Sequence, residues 1–267
     1  MGSSALTARF GEAITKKALR SYLAEFISTF FFVLAVIGSA MSSRKMMPGG
    51  VAEPGALVVE AVATAFALAS AVYIAGSISG GHVNPAVTFS MAIGGRISLP
   101  TAIFYWISQI LASIIACVIL KGTTAGQEVP SFGISEEMTG FGSSILEGVF
   151  TFALVYTVYV ASSVDPRNSV GGPGLLGQGQ GQELRAIGPI MIGFVAGAGV
   201  LASGPLSGGS MNPACAFASA LVAGSFRNQA VYWVGPLVGA TVAGILYDNV
   251  VFVSASQPSA DSTALGF

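Results

Sequence analysis

Ser79-Gly80-Gly81-His82-Val83-Asn84-Pro85-Ala86 returns about 128 positions later as Ser207-Gly208-Gly209-Ser210-Met211-Asn212-Pro213-Ala214. Asn is a favoured helix N-cap and Pro a favoured first helical residue, because its missing N–H would be unpaired there anyway. Each Asn-Pro-Ala therefore reads as a helix start behind an irregular Ser-Gly-Gly segment. Each helix runs only about ten residues before Gly94-Gly95 or Gly224 ends it, which reaches roughly half-way through a bilayer.

The surrounding sequence is that of a membrane protein. Of 267 residues 53% are hydrophobic and 9% charged, with a mean hydropathy of +0.75; a soluble domain carries about 25% charged residues. Stretches of bilayer length run over Tyr22–Ala40, Leu57–Ala75, Ile103–Leu120, Ser144–Ser162, Ala186–Leu201 and Val231–Val251. A net charge of −1 excludes a nucleic-acid binder, which needs a basic face. One His and two Cys, Cys117 and Cys215, leave no metal site and no disulfide framework. No nucleophile–base constellation is visible, so no enzyme and no cofactor are expected.

The two halves correspond beyond the octapeptide. Glu25 matches Glu147, and Tyr105-Trp106 with Gln109 matches Tyr232-Trp233 with Pro236. Each half reads as two spans, a half-helix and a third span, so the second copy inserts upside down and a pseudo-two-fold axis lies in the membrane plane. The expected fold is all-α, with six transmembrane helices and two half-helices in an inverted repeat. Its channel domain covers residues 22–253, as halves 22–121 and 144–253, between an N-terminal segment 1–21 and a tail 254–267. Arg9, Lys16, Lys17, Arg20, Arg96, Arg167 and Arg185 fall on the side of the termini; Arg44, Lys45, Lys121 and Arg227 fall on the other. That imbalance predicts cytoplasmic termini. The first 24 residues, mildly amphipathic with four basic residues, do not read as a signal peptide, for want of its apolar run. Val170–Gln182, rich in Gly and Gln, reads as a flexible loop, and the tail after Ser254 as disordered.

Irregular backbone at membrane depth is tolerated only inside protein or along a water-filled cavity. In an inverted repeat the two helix starts meet near the midplane, each bringing about half a positive charge from its dipole. The Asn84 and Asn212 amides then offer N–H donors to one small space. A passing water accepts these bonds and turns its hydrogens toward the exits, which breaks the wire along which protons hop, while the field repels cations. Water and small neutral solutes remain as permeants. A secondary transporter is the alternative, since inverted repeats with broken helices serve those too.

With Asn84, Pro85, Ala86, Asn212, Pro213 and Ala214 in mirrored hydropathy, the chain resembles the aquaporin (major intrinsic protein) superfamily over nearly its whole length. Within that family it resembles the plant tonoplast intrinsic proteins, through Ala24-Glu25-Phe26, Ile78 to Phe89, Tyr105-Trp106-Ile107, Leu154 to Tyr159 and Val231 to Gly239. The resemblance implies a homotetramer in the lipid bilayer of the vacuolar membrane. The basic N-terminus leaves the mitochondrial inner membrane as an alternative. The resemblance also implies a second constriction, the selectivity filter, at Thr64, Val200, Gly209 and Cys215. The family has an Arg where this chain has Cys215, and an aromatic or His where it has Thr64. Losing a bulky five-donor cation widens and neutralises the opening, so urea, ammonia, glycerol and hydrogen peroxide are expected to pass with water.

Other residues have plainer readings. Glu25 and Glu147 are acids within spans, hence candidates for a proton relay; the reading preferred is that each accepts hydrogen bonds from the irregular backbone before a half-helix. Glu60 sits near a span end and can reach the interface. His82 is a pH sensor or a loop-packing residue, and the family pattern favours packing. Cys215 is a redox or mercurial switch or a small filter residue, and Cys117 a packing residue. Gly193/Gly197 and Gly235/Gly239 have the small-xxx-small spacing of close helix crossings. Glu136-Glu137 is a loop pair.

Overall fold

A computed structural model describes residues 10–47, 54–163 and 178–251 of the protein, with 178–185 as backbone only. Eight helices account for most of them: α1 Lys16–Met46, α2 Pro54–Gly76, α3 Pro85–Ile93, α4 Leu99–Thr123, α5 Gly140–Ser163, α6 Gln178–Ser207, α7 Pro213–Ala223 and α8 Val231–Leu246. A π-helical turn over Tyr247–Val251 continues α8. Among the described residues there is no strand, and six helical stretches are long and apolar enough to cross a membrane. The short helices α3 and α7, of 9 and 11 residues, span about 14 and 16 Å, half of a hydrocarbon core of about 30 Å.

The helices outrun the apolar stretches because polar caps extend them. Thr15 caps α1, its side chain accepting from Ala18 N, and Ser98 caps α4 through Thr101 N. α6 differs from expectation at its start: it begins at Gln178, so residues 178–182 of the anticipated loop are helical, glutamine being a good helix former. The rest of that stretch, 170–177, and the tail after Ser254 lie outside the described residues.

Packing follows the inverted repeat. Helix α1 lies against α2 and α4 as α5 lies against α6 and α8; α3 packs on α8 as α7 packs on α4; α2 packs on α6, and α3 meets α7. Burial runs opposite to that of a soluble protein. Large apolar side chains such as Leu23, Ile27, Phe31, Phe66, Phe141 and Val238 face outward, where lipid takes the place of water. At the helix crossings small residues let backbones approach closely. A Cβ on Gly239 would strike the Gly148 carbonyl oxygen and one on Gly235 that of Ser144, so α5 and α8 touch backbone to backbone. Gly193 and Gly197 do the same for α6 against Ala65 and Ala61 of α2.

Candidate pore

Both half-helix starts carry the cap that their sequence dictates. The Asn84 Oδ1 accepts from Ala86 N at 2.8 Å; the Asn212 Oδ1 accepts from Ala214 N at 3.1 Å and Cys215 N at 3.5 Å. The amide nitrogens reach across the repeat: Asn84 Nδ2 donates to the Met211 carbonyl at 2.8 Å and Asn212 Nδ2 to the Val83 carbonyl at 3.0 Å. The two helix starts are thus tied head to head. One N–H of each amide is used in this tie rather than offered to the lumen, and the second remains, since a primary amide has two.

The segments leading to the caps have the same conformation. Gly80 and Gly208 both have φ of 97°, Gly81 and Gly209 have 65° and 63°, and Val83 and Met211 have 57° and 51°. A non-glycine residue in the left-handed region costs about 1–3 kcal/mol and persists only where its surroundings over-determine it. Here a buried carboxylate does so. Glu25 Oε1 accepts from Ser79 Oγ (2.6 Å) and His82 N (2.8 Å), and its Oε2 from Val83 N and Gln109 Nε2 (both 2.8 Å). Glu147 Oε1 accepts from Ser207 Oγ (2.8 Å) and Ser210 N (3.2 Å), and its Oε2 from Met211 N (2.7 Å). Both glutamates are fully buried, where such bonds are strong and an unpaired N–H is costly.

One tyrosine completes each loop. Tyr105 Oη donates to the Ser79 carbonyl and Tyr232 Oη to the Ser207 carbonyl, both at 2.8 Å. Trp106 Nε1 donates to the Pro85 carbonyl at 2.9 Å, and its ring meets that of Trp233 with centroids 5.9 Å apart. The halves diverge at one position: Gln109 also donates to Thr88 Oγ1 at 3.0 Å, which is bonded to His82 Nδ1 at 3.0 Å, whereas its counterpart Pro236 has no side-chain donor. His82 is nine-tenths buried or more and packs edge-on to Tyr105.

A cavity opens where the two loops meet. Asn84, Asn212 and His82 contribute polar groups to its wall, and Thr64, Leu68 and Val72 of α2 form one side. Of the four filter positions, Thr64 is on that wall. Val200 and Gly209 adjoin each other, since a Cβ on Gly209 would lie 3.1 Å from Val200 Cα. Cys215 is 1% exposed and belongs to the same apolar cluster as Cys117. Both thiols are free. Among the described residues no cluster of His, Cys, Asp and Glu could hold a metal ion.

This arrangement has known counterparts. The family profile named Major intrinsic protein matches residues 12–247. The chain belongs to the major intrinsic protein family. It is 57% identical to an Arabidopsis thaliana protein named "Probable aquaporin TIP5-1", over 98% of this chain and 97% of that one. It is 48% identical to "Aquaporin TIP1-1" of the same plant, with 94% of each chain covered. The solved structure of the aquaglyceroporin from Plasmodium falciparum shares the fold at a TM-score of 0.68 and 18% identity, covering 87% of this chain and 96% of that one.

Within this major intrinsic protein, sequence reading paired Tyr105-Trp106 with Tyr232-Trp233 but gave the tyrosines no task. Their recurrence at matching places was the available signal. Thr88 and the crossed amide bonds had none, because they depend on how the two loops meet.

Proposed function

We propose that this major intrinsic protein is a passive channel for water and small neutral solutes, with its channel domain at 22–253 and its constriction at the paired caps Asn84-Pro85-Ala86 and Asn212-Pro213-Ala214. The observation that carries this reading is the reciprocal tie, Asn84 Nδ2 to Met211 O at 2.8 Å and Asn212 Nδ2 to Val83 O at 3.0 Å, on the wall of one cavity. The tie aims two positive helix ends and the two remaining amide N–H groups at the same point. A water there donates outward in both directions, and the field opposes cations and hydronium. Glu25 and Glu147 support the loops by holding their strained N–H groups. A half-helix pair of neutral caps needs no coupled ion, which favours a channel over a transporter.

Thr64, Val200, Gly209 and Cys215 form the filter in this proposal. Without a guanidinium the opening is wider and less polar, and it admits urea, ammonia, glycerol and hydrogen peroxide beside water. We assign the protein to the vacuolar membrane, with cytoplasmic termini, as a homotetramer; the relatives named as TIP aquaporins support that address. Stopped-flow swelling of proteoliposomes in urea, glycerol and sucrose gradients tests the reading. Fast, unsaturable entry of water, urea and glycerol, with sucrose excluded, is expected. Permeation no faster than in protein-free vesicles, or flux that saturates and follows a proton gradient, would overturn it.

A further inference from the structure

The wall of α2 that carries Thr64, Leu68 and Val72 repeats at intervals of four residues, and the next member of that row outward is Glu60. Its side chain is part-buried. Across the seam with α1, Ser43 Oγ donates to Glu60 Oε1 at 3.0 Å, while Oε2 accepts no hydrogen bond from the described residues. One turn further in, Thr64 Oγ1 donates its proton to the Glu60 carbonyl at 2.7 Å, so only its lone pairs are left for a solute. The place three residues after Asn212 holds the buried Cys215, whose S–H is only a weak donor. Arg44, exposed on the last turn of α1, is a cation close enough to act on Glu60.

We propose that Glu60 and Thr64 form an acceptor-lined binding site at the mouth opposite the termini, specific for small planar amides that present paired N–H donors, the class of urea. The inference rests on the channel reading above and names the residue that sorts its solutes. A carboxylate has about four lone-pair sites, of which Ser43 occupies one. The others accept two parallel N–H bonds from one planar solute, a charge-assisted pairing stronger than single neutral bonds. Thr64 then accepts the next N–H as the solute moves inward. Glycerol has flexible hydroxyls with one proton each and forms such a pair only by freezing its C–C torsions, whereas the planar amide presents its fork ready-made. Water needs no such recognition.

Glu60→Gln tests this cleanly. Its amide oxygen still accepts the Ser43 bond, so the seam is kept while the charge and one acceptor are lost. In proteoliposomes we expect urea permeability to fall about fivefold, with water and glycerol within twofold of the parent and Glu60→Asp recovering part of the urea flux. Equal losses of urea and glycerol, or an unchanged ratio of urea to water, would overturn the inference and leave the channel standing. A parent protein that passes water but excludes urea would do the same. A parent that passes neither would overturn the channel reading itself.

Discussion

Asn212 performs two tasks with one amide: its oxygen caps α7 and its nitrogen bonds the Val83 carbonyl. Aspartate keeps the cap but sets an oxygen against that carbonyl. Asn212→Asp should therefore cost about 1–3 kcal/mol, seen as a lower melting temperature in detergent. It should also raise proton leak, read with an entrapped pH dye, because the negative charge cancels part of the helix-end field. Cys215 tests the filter at the same scale. An arginine there restores a bulky fork of five donors, so Cys215→Arg should reduce urea and glycerol flux at least about tenfold while water flux persists. Each 1.4 kcal/mol of added barrier corresponds to a factor of ten. Solute-resolved swelling of the two proteins decides it. An unchanged solute profile would remove Cys215 from the sieve.

Between elements, glycine decides how close the helices come. At Gly239 the α5 backbone is so near that a methyl group would meet the Gly148 carbonyl. Gly239→Ala must separate α5 from α8, and because α8 also carries Tyr232, which holds the Ser207 carbonyl, the second loop shifts with it. A loss of more than about 2 kcal/mol is expected, together with a drop in water flux. Gly224, whose added Cβ would meet nothing but whose φ is 74°, offers a contrast: there alanine costs backbone strain alone, about 1 kcal/mol. Thermal melts of the two variants should rank in that order. The carboxylate supports belong to this scale as well. Glu147→Gln keeps one acceptor oxygen but turns the other into a donor that faces Met211 N or Ser210 N. It should destabilise the second loop by about 1–3 kcal/mol.

For the molecule as a whole, the two repeats are joined at the side of the termini by an ion pair. Arg96, just after α3, donates to Asp248 in the π-helical turn at 2.6 Å and lies over the Tyr159 ring at 4.3 Å. Tyr159 in turn donates to the Ser90 carbonyl at 2.9 Å, and Ser90 Oγ to the Ala240 carbonyl at 2.7 Å. With about a quarter of each charged side chain exposed, the pair contributes about 1 kcal/mol. Asp248→Asn should lower the melting temperature by about 2–4 °C, and less at high salt because part of the interaction is screened. An equal loss at every salt concentration would mean that the contact stabilises by packing and not by charge.

Length and hydropathy alone determined the six spanning helices, since a bilayer imposes its thickness on any apolar helix, and the repeated Asn-Pro determined where α3 and α7 begin, since capping is local. The glycine spacings likewise marked the crossings of α2 with α6 and α5 with α8. The sequence could not tell that each asparagine spends one N–H on the opposite loop, or that Tyr105 and Tyr232 hold the serine carbonyls. Those contacts join residues 25 to 129 positions apart. Local propensity carries no record of such distances. They are fixed only when both halves close around a shared interior and every buried polar group has to find its partner there.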